Sequence, residues 1–135
     1  MTARLAAIPT DRDLWNAEPG ALESAVALHH WLISLPGVGP VIASKLLARK
    51  RPRLIPIHDK VVLRVLAPPK DRFWATLAVA LTEADLRDEI EALRPPGADS
   101  VSLLRLLDVA IWIRYSRSRN ARTARRAVGI SEPDL

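Results

Sequence analysis

Two glycines one residue apart, in Leu35-Pro36-Gly37-Val38-Gly39-Pro40-Val41-Ile42-Ala43, constrain this chain more than any other feature. Apolar residues at helical spacing lead up to the stretch (Leu22, Val26, Leu28, Leu32, Ile33) and resume after it (Ile42, Leu46, Leu47). The pattern predicts helices over 21–34 and 40–50, joined by a tight hairpin that brings its main chain close to something else. Gly37 and Gly39 each lack a Cβ, so the turn is free to take positive φ and nothing blocks a partner from the backbone. Pro40 suits the first turn of the following helix, where a missing N–H costs nothing. The amides of Gly39, Val41 and Ile42 are then left pointing out of a helix start. That end carries partial positive charge and bare donors, which suits a phosphate.

Charge strengthens this expectation. The net charge is only +5, but it is unevenly spread. Residues 45–72 hold nine Lys/Arg (45, 49, 50, 51, 53, 60, 64, 70 and 72) against Asp59 and Asp71. Residues 114–126 hold six Arg and no acid, so the remainder of the chain is net acidic. Concentration of cations beside the hairpin points to a polyanion partner on one side. Lys45, Arg49, Lys50, Arg51, Arg53 and Lys60 are the expected backbone-contacting cations near the hairpin. Arg117, Arg119, Arg122, Arg125 and Arg126 form a basic C-terminal segment, 117–135, expected to be a flexible arm or a helix that forms on DNA.

The length of 135 residues fits one domain with one modest core. No apolar run reaches the roughly 18 residues of a membrane span, so no membrane partner is expected. Met1–Pro9 is too short for a signal peptide and is followed by charges, so a cytoplasmic location is the expectation. The absence of cysteine excludes disulfides and Cys-ligated zinc or iron–sulfur centres. His29 and His30 are adjacent on a predicted helix and point to different faces, which argues against a shared metal.

Further helices are expected at 11–17, 59–66, 73–81, 83 to about 94, and 99 or 100 to about 116. Thr82-Glu83-Ala84-Asp85 resembles a capping box. Nothing alternates as a strand does. The expectation is an all-α bundle of about six or seven helices, with residues 1–116 as its domain. Residues 96–104 loosely echo 36–47, with Asp99 where the second glycine would stand. They read either as a degenerate second hairpin or as a plain capped helix start.

Leu32–Leu47, containing Leu-Pro-Gly-Val-Gly-(x)3-Ala, resembles the helix-hairpin-helix motif of non-sequence-specific DNA-binding proteins. The resemblance places the motif at 28–50. It implies that hairpin amides bind a phosphate of duplex DNA. It also implies that the carbonyls of Ile33, Leu35 and Val38 hold a K+ or Na+ ion, with no other cofactor. The stretch Leu54-Ile55-Pro56-Ile57-His58-Asp59-Lys60-Val61-Val62-Leu63-Arg64-Val65 extends the resemblance, over about residues 28–66, to base-excision DNA glycosylases of the endonuclease III type. Asp59 falls at the position of their catalytic aspartate, whose family role is to stabilise charge developing on the deoxyribose or to activate a water. An aspartate at a helix start is also a preferred N-cap, and the two roles are compatible. Val41 stands where bifunctional members carry a lysine nucleophile, so a lyase step is not implied. Only residues 1–34 precede the hairpin, whereas those enzymes use a larger N-terminal helical part to receive a flipped base. A fainter resemblance, of residues 45–56, is to bacterial proteins to which no activity is assigned.

Three functions are therefore expected, in order. The first is a DNA-binding protein that grips the phosphate backbone with little sequence preference. The second is a minimal monofunctional glycosylase using Asp59. The third is an interaction module whose acidic face, around Glu83, Asp85, Asp88, Glu89 and Glu91, holds a protein. A homodimer would suit the first, because one hairpin alone grips DNA weakly.

Overall fold

A computed structural model describes residues 1–134, which are helical with no strand among them. The helices are α1 (Thr2–Ala6), α2 (Pro19–Ile33), α3 (Pro40–Lys50), α4 (Lys60–Leu66), α5 (Phe73–Ala80), α6 (Ala84–Glu91), α7 (Leu103–Tyr115) and α8 (Arg119–Ala127). A 3-10 turn at Leu14–Asn16 precedes α2. The all-α expectation holds, and α1 and α8 are additions to it.

Apolar spacing explains the core. Leu28 and Leu32 of α2 and Ala43 and Leu47 of α3 are buried, each pair one turn apart on the inward face. The link after α3 contributes Leu54 and Ile55, both 1% exposed. Pro52 cannot continue α3, and residues 51–54 turn, with the Leu54 and Ile55 amides on the Arg51 carbonyl, before the irregular stretch that holds Pro56. α5 is apolar almost throughout and buries Phe73, Trp74 and Leu77. α7 packs against α4, α6 and α8 and so joins the two halves of the chain.

Local chemistry corrects three expectations. The Thr82 hydroxyl bonds back to the Val79 carbonyl at 2.6 Å, and α6 begins after Glu83 without a side-chain cap. That short bond satisfies the hydroxyl locally, so no capping box forms. α7 starts after Ser102, whose hydroxyl accepts from the Arg105 amide, not after Asp99 or Ser100. Residues 95–98 turn as 35–38 do, with Gly97 at φ +81 and the Ala98 amide on the Pro95 carbonyl, but α7 starts at Leu103, three residues later in this register than α3 does. The loop before it is held by Arg94, which donates to the carbonyls of Ala98 and Val101 at 2.6 Å each.

The third correction concerns the C-terminal segment. Residues 117–134 extend the helical fold rather than standing apart from 1–116. Ala121 and Arg125 lie one turn apart on α8 and are 0% and 1% exposed against the rest of the fold. Arg125 donates through Nη1 to the carbonyls of Ile113 (2.7 Å) and Ser116 (2.9 Å), closing the end of α7, and through Nη2 to Glu132 at 2.6 Å. Ser118 caps α8 by accepting from the Ala121 amide, and Arg114 donates to the Ser131 carbonyl. Arginine is the residue suited to this position, because its fork of donors can meet several carbonyls at once while its stem packs. Leu135 lies outside the described residues.

Candidate functional site

The hairpin occupies residues 34–39, between α2 and α3. Ser34 and Leu35 continue the last turn of α2 through bonds to the carbonyls of His30 and Leu32, and the Val38 amide closes onto Leu35 at 3.1 Å. Gly37 takes φ +78, the left-handed region that favours glycine. Gly39 differs. Its φ is −90, and a Cβ built on it would meet nothing within 4 Å. Neither backbone strain nor packing inside the chain requires a glycine there.

α3 begins after Gly39 with Pro40 at its first position and no side-chain cap. The Ala43 amide bonds to the Gly39 carbonyl. The amides of Gly39, Val41 and Ile42 have no acceptor among the described residues. The carbonyls of Ile33 and Val38 likewise receive no donor there, while that of Leu35 takes the Val38 amide. The hairpin thus carries bare donors and bare acceptors side by side, one set able to meet an anion and the other a cation.

Two buried polar side chains hold this turn in place. His29, 5% exposed, brings its Nε2 to 3.2 Å from the Pro40 carbonyl and so pins the start of α3 to α2. Ser44, fully buried, donates to the Val41 carbonyl at 3.0 Å and accepts the His58 amide at 2.9 Å. Ser44 therefore sets the distance between the hairpin and the segment carrying Asp59. No sequence signal marked it, since a serine inside a helix resembles surface.

Asp59 is the N-cap of α4. Its Oδ1 accepts from the Val61 amide at 2.7 Å and from the Val62 amide at 3.4 Å. Close by, Asp108 on α7 has its carboxyl pushed up, mainly by burial and further by the Asp59 charge, while its ion-pair partner Arg105 opposes the shift.

The expected cations divide into two groups. Lys45, Arg49, Lys50 and Lys60 are exposed and form no ion pair among the described residues. Arg51 and Arg53 are structural. Arg51 donates to the carbonyls of Ile8 (2.7 Å) and Leu5 (2.8 Å), tying the α1 segment to the end of α3. Arg53 makes a two-pronged pair with Asp13, at 2.8 and 2.9 Å. On α8, Arg119, Arg122 and Arg126 are exposed, as is Arg117 before it, whereas Arg125 is buried.

Two cavities flank the hairpin. One, of about 680 Å³, lies between α3 and the start of α7, with Lys45, Arg49, Arg105 and Asp108 among apolar residues including Ile42, Leu46 and Ile57. The other, of about 570 Å³, lies between α2, Pro40, His58 and the segment leading into α5. Asp59 lines neither cavity. His29 and His58 meet in the second, with ring centres 4.9 Å apart and planes at 76°. His58 is pushed down to about 4 by burial and by the neighbouring His29, and His29 is also lowered, mainly by burial. Both rings are neutral near pH 7. Among the described residues no group of three or more His, Cys, Asp or Glu is arranged to hold a metal.

These features define an all-α protein with a bare glycine hairpin between two helices and unpaired cations beside it. The chain belongs to the Family of unknown function (DUF6308), which matches residues 1–115, from α1 to the last residue of α7. No curated protein and no solved structure matches the chain. Among the described residues no helix is long and apolar enough to cross a membrane.

Proposed function

We propose that this protein binds the phosphate backbone of duplex DNA through its α2–α3 hairpin, with little dependence on sequence. One observation carries the reading. Gly39 has ordinary φ and open space where a side chain would be, yet it stands beside amides that have no acceptor among the described residues. A glycine that the fold does not need is explained by a partner that comes close to the main chain. The partial charge of a helix start and its bare donors select an anion as that partner. Lys45, Arg49, Lys50 and Lys60 extend the positive track, and such contacts position a protein on DNA without reading bases. The exposed arginines of α8 add longer-range attraction.

The carbonyls of Ile33, Leu35 and Val38 would hold a K+ or Na+ ion. Two of them have no donor among the described residues and the third keeps a free lone pair, which suits an ion preferring oxygen ligands. Such an ion would place positive charge next to the phosphate. The chain's own part is to keep the turn rigid, through His29 and Ser44. Asp59 is already used as a cap and lines neither cavity, so the geometry favours backbone binding over base release.

The test is fluorescence anisotropy with a short duplex over a salt series. Gly39→Glu should abolish measurable binding while leaving the melting temperature near wild type. Arg49→Gln with Lys50→Gln should flatten the slope of log affinity against log salt by about 1.8. Unchanged affinity and slope in both variants would refute the assignment.

A further inference from the structure

The second cavity has features that the DNA reading does not use. Its walls carry five aromatic rings, His29, His30, His58, Phe73 and Trp74, each in contact with at least one other. The His58 ring lies 5.3 Å from Phe73 and 5.9 Å from Trp74, and His29 lies 5.1 Å from Trp74. The His58 side chain is half-buried, and neither of its ring nitrogens has a partner among the described residues. A neutral imidazole offers one donor and one acceptor from the same small ring. Trp74 is 8% exposed, and its Nε1 is one of two buried side-chain nitrogens without an acceptor among the described residues. Buried polar groups are nearly always satisfied, and this unsatisfied one belongs to a ring that lines the cavity.

The mouth of this cavity is cationic. Lys70 and Arg72 are exposed and make no ion pair among the described residues, and Asp71 between them is the single carboxylate lining the cavity. Arg72 precedes α5, which starts without a side-chain cap, and Trp74 and Ala75 of its first turn line the cavity. Ala67 and Asp71, bracketing Pro68-Pro69, are the two non-glycine residues with positive φ among the described residues, at 43 and 57. The segment shaping this mouth is thus held in an unfavourable conformation by its surroundings.

We propose that this cavity binds a nucleoside 5′-monophosphate group, its base stacked among the aromatic rings with an edge on His58, its phosphate between Lys70 and Arg72. The volume of about 570 Å³ lies within the range of about 300–1,000 Å³ typical of small-ligand sites. Stacking on aromatic rings tolerates any base, because every base has a π-face. Two cations against one carboxylate favour an anion, and the uncapped start of α5 adds donors. The same chemistry is offered by a free nucleotide or by the 5′-phosphorylated end of a strand. The cavity shares His29, Ile33 and Pro40 with the hairpin's support, but AMP binding is read independently of duplex binding.

Calorimetric titration of the whole protein with AMP, adenosine, ribose 5-phosphate and inorganic phosphate tests this, with ¹H–¹⁵N spectra following the Trp74 indole N–H. Saturable AMP binding at one site is expected, at least tenfold tighter than adenosine or ribose 5-phosphate, with a shifted Trp74 signal. Lys70→Glu with Arg72→Glu, both on the surface, should weaken AMP at least tenfold and leave adenosine unchanged. His58→Ala should weaken both AMP and adenosine. Displacement of AMP by a 5′-phosphorylated tetranucleotide, but not by its unphosphorylated form, would make a strand end the source. Failure of both to displace it would make a free nucleotide the source. No saturable AMP binding at millimolar concentration would overturn the proposal, as would inorganic phosphate binding as tightly as AMP, or a Trp74 signal that does not move.

Discussion

Replacing Arg125 by Met should destabilise the protein by about 3 kcal/mol. The Met side chain keeps most of the apolar stem contact, so packing changes little. The loss is in hydrogen bonds. The carbonyls of Ile113 and Ser116, bonded at 2.7 and 2.9 Å, are left without their charged donor at the end of α7. A buried group deprived of its partner costs about 1–3 kcal/mol, and bonds to charged donors lie toward the upper part of that range. The longer contact to Arg114, at 3.3 Å, adds little. Glu132 returns to water, because its side chain is 57% exposed already. Replacing a buried ion pair by apolar groups is often neutral, but here the acceptors are main-chain carbonyls that the substitution cannot remove. For a chain of 135 residues, 3 kcal/mol corresponds to a drop of about 10 °C in melting temperature. Arg122→Met, on the exposed side of the same helix, should stay within about 0.5 kcal/mol of wild type. Circular dichroism melts and urea titrations of the three proteins decide the matter. Equal stability of the Arg125 and Arg122 variants would refute the packing of α8 against α7 and restore the segment as a free basic arm.

Other expectations follow from the hairpin and its supports. Gly37→Ala should cost about 1–2 kcal/mol, because φ +78 burdens any residue with a Cβ, whereas Gly39→Ala should leave urea stability within about 0.5 kcal/mol. If phosphate approaches Gly39, that same substitution should still weaken DNA binding, and equal binding would remove the support for a close partner. Asp59→Ala should lower stability by about 1 kcal/mol through loss of the α4 cap, and no change in the urea midpoint would contradict that role. Acid should destabilise the fold through the histidine pair. His58 falls from 6.5 to about 4 on folding, so between these values the unfolded chain binds a proton that the folded chain does not. This contribution is complete above about pH 6.5 and declines as the pH falls toward 4. Allowing for the water that reaches the half-buried ring, it amounts to about 1 kcal/mol between pH 6.5 and 5. Urea midpoints across that window should fall for wild type and flatten for His58→Gln, and identical curves would refute the burial of a neutral imidazole.

Much of the hairpin was legible in the residues themselves. Helical spacing on both sides of Gly37–Gly39, a proline suited to a first helical turn, and an aspartate before Lys60 each act over a few neighbouring residues. α3 accordingly spans Pro40–Lys50 as expected, and Asp59 caps α4. α8 was not legible as a packed helix, because its composition is almost all arginine and small residues. Its place depends on one guanidinium reaching the end of another helix. The same holds for Arg51 and Arg53, which read as members of a cationic track and instead anchor residues 5–13, whose partners lie about forty residues away in the chain.

The gathering of His29 and His58 into one aromatic cavity was likewise invisible. Adjacent histidines on a helix and a third beyond the next helix share no local pattern. Local rules of backbone and capping therefore determined, from sequence alone, that the chain is all-α and turns sharply at two glycines. Which cations face water, which arginine is buried, and which rings meet in a cavity were decided only by tertiary packing, since each depends on partners that sequence spacing does not bring together.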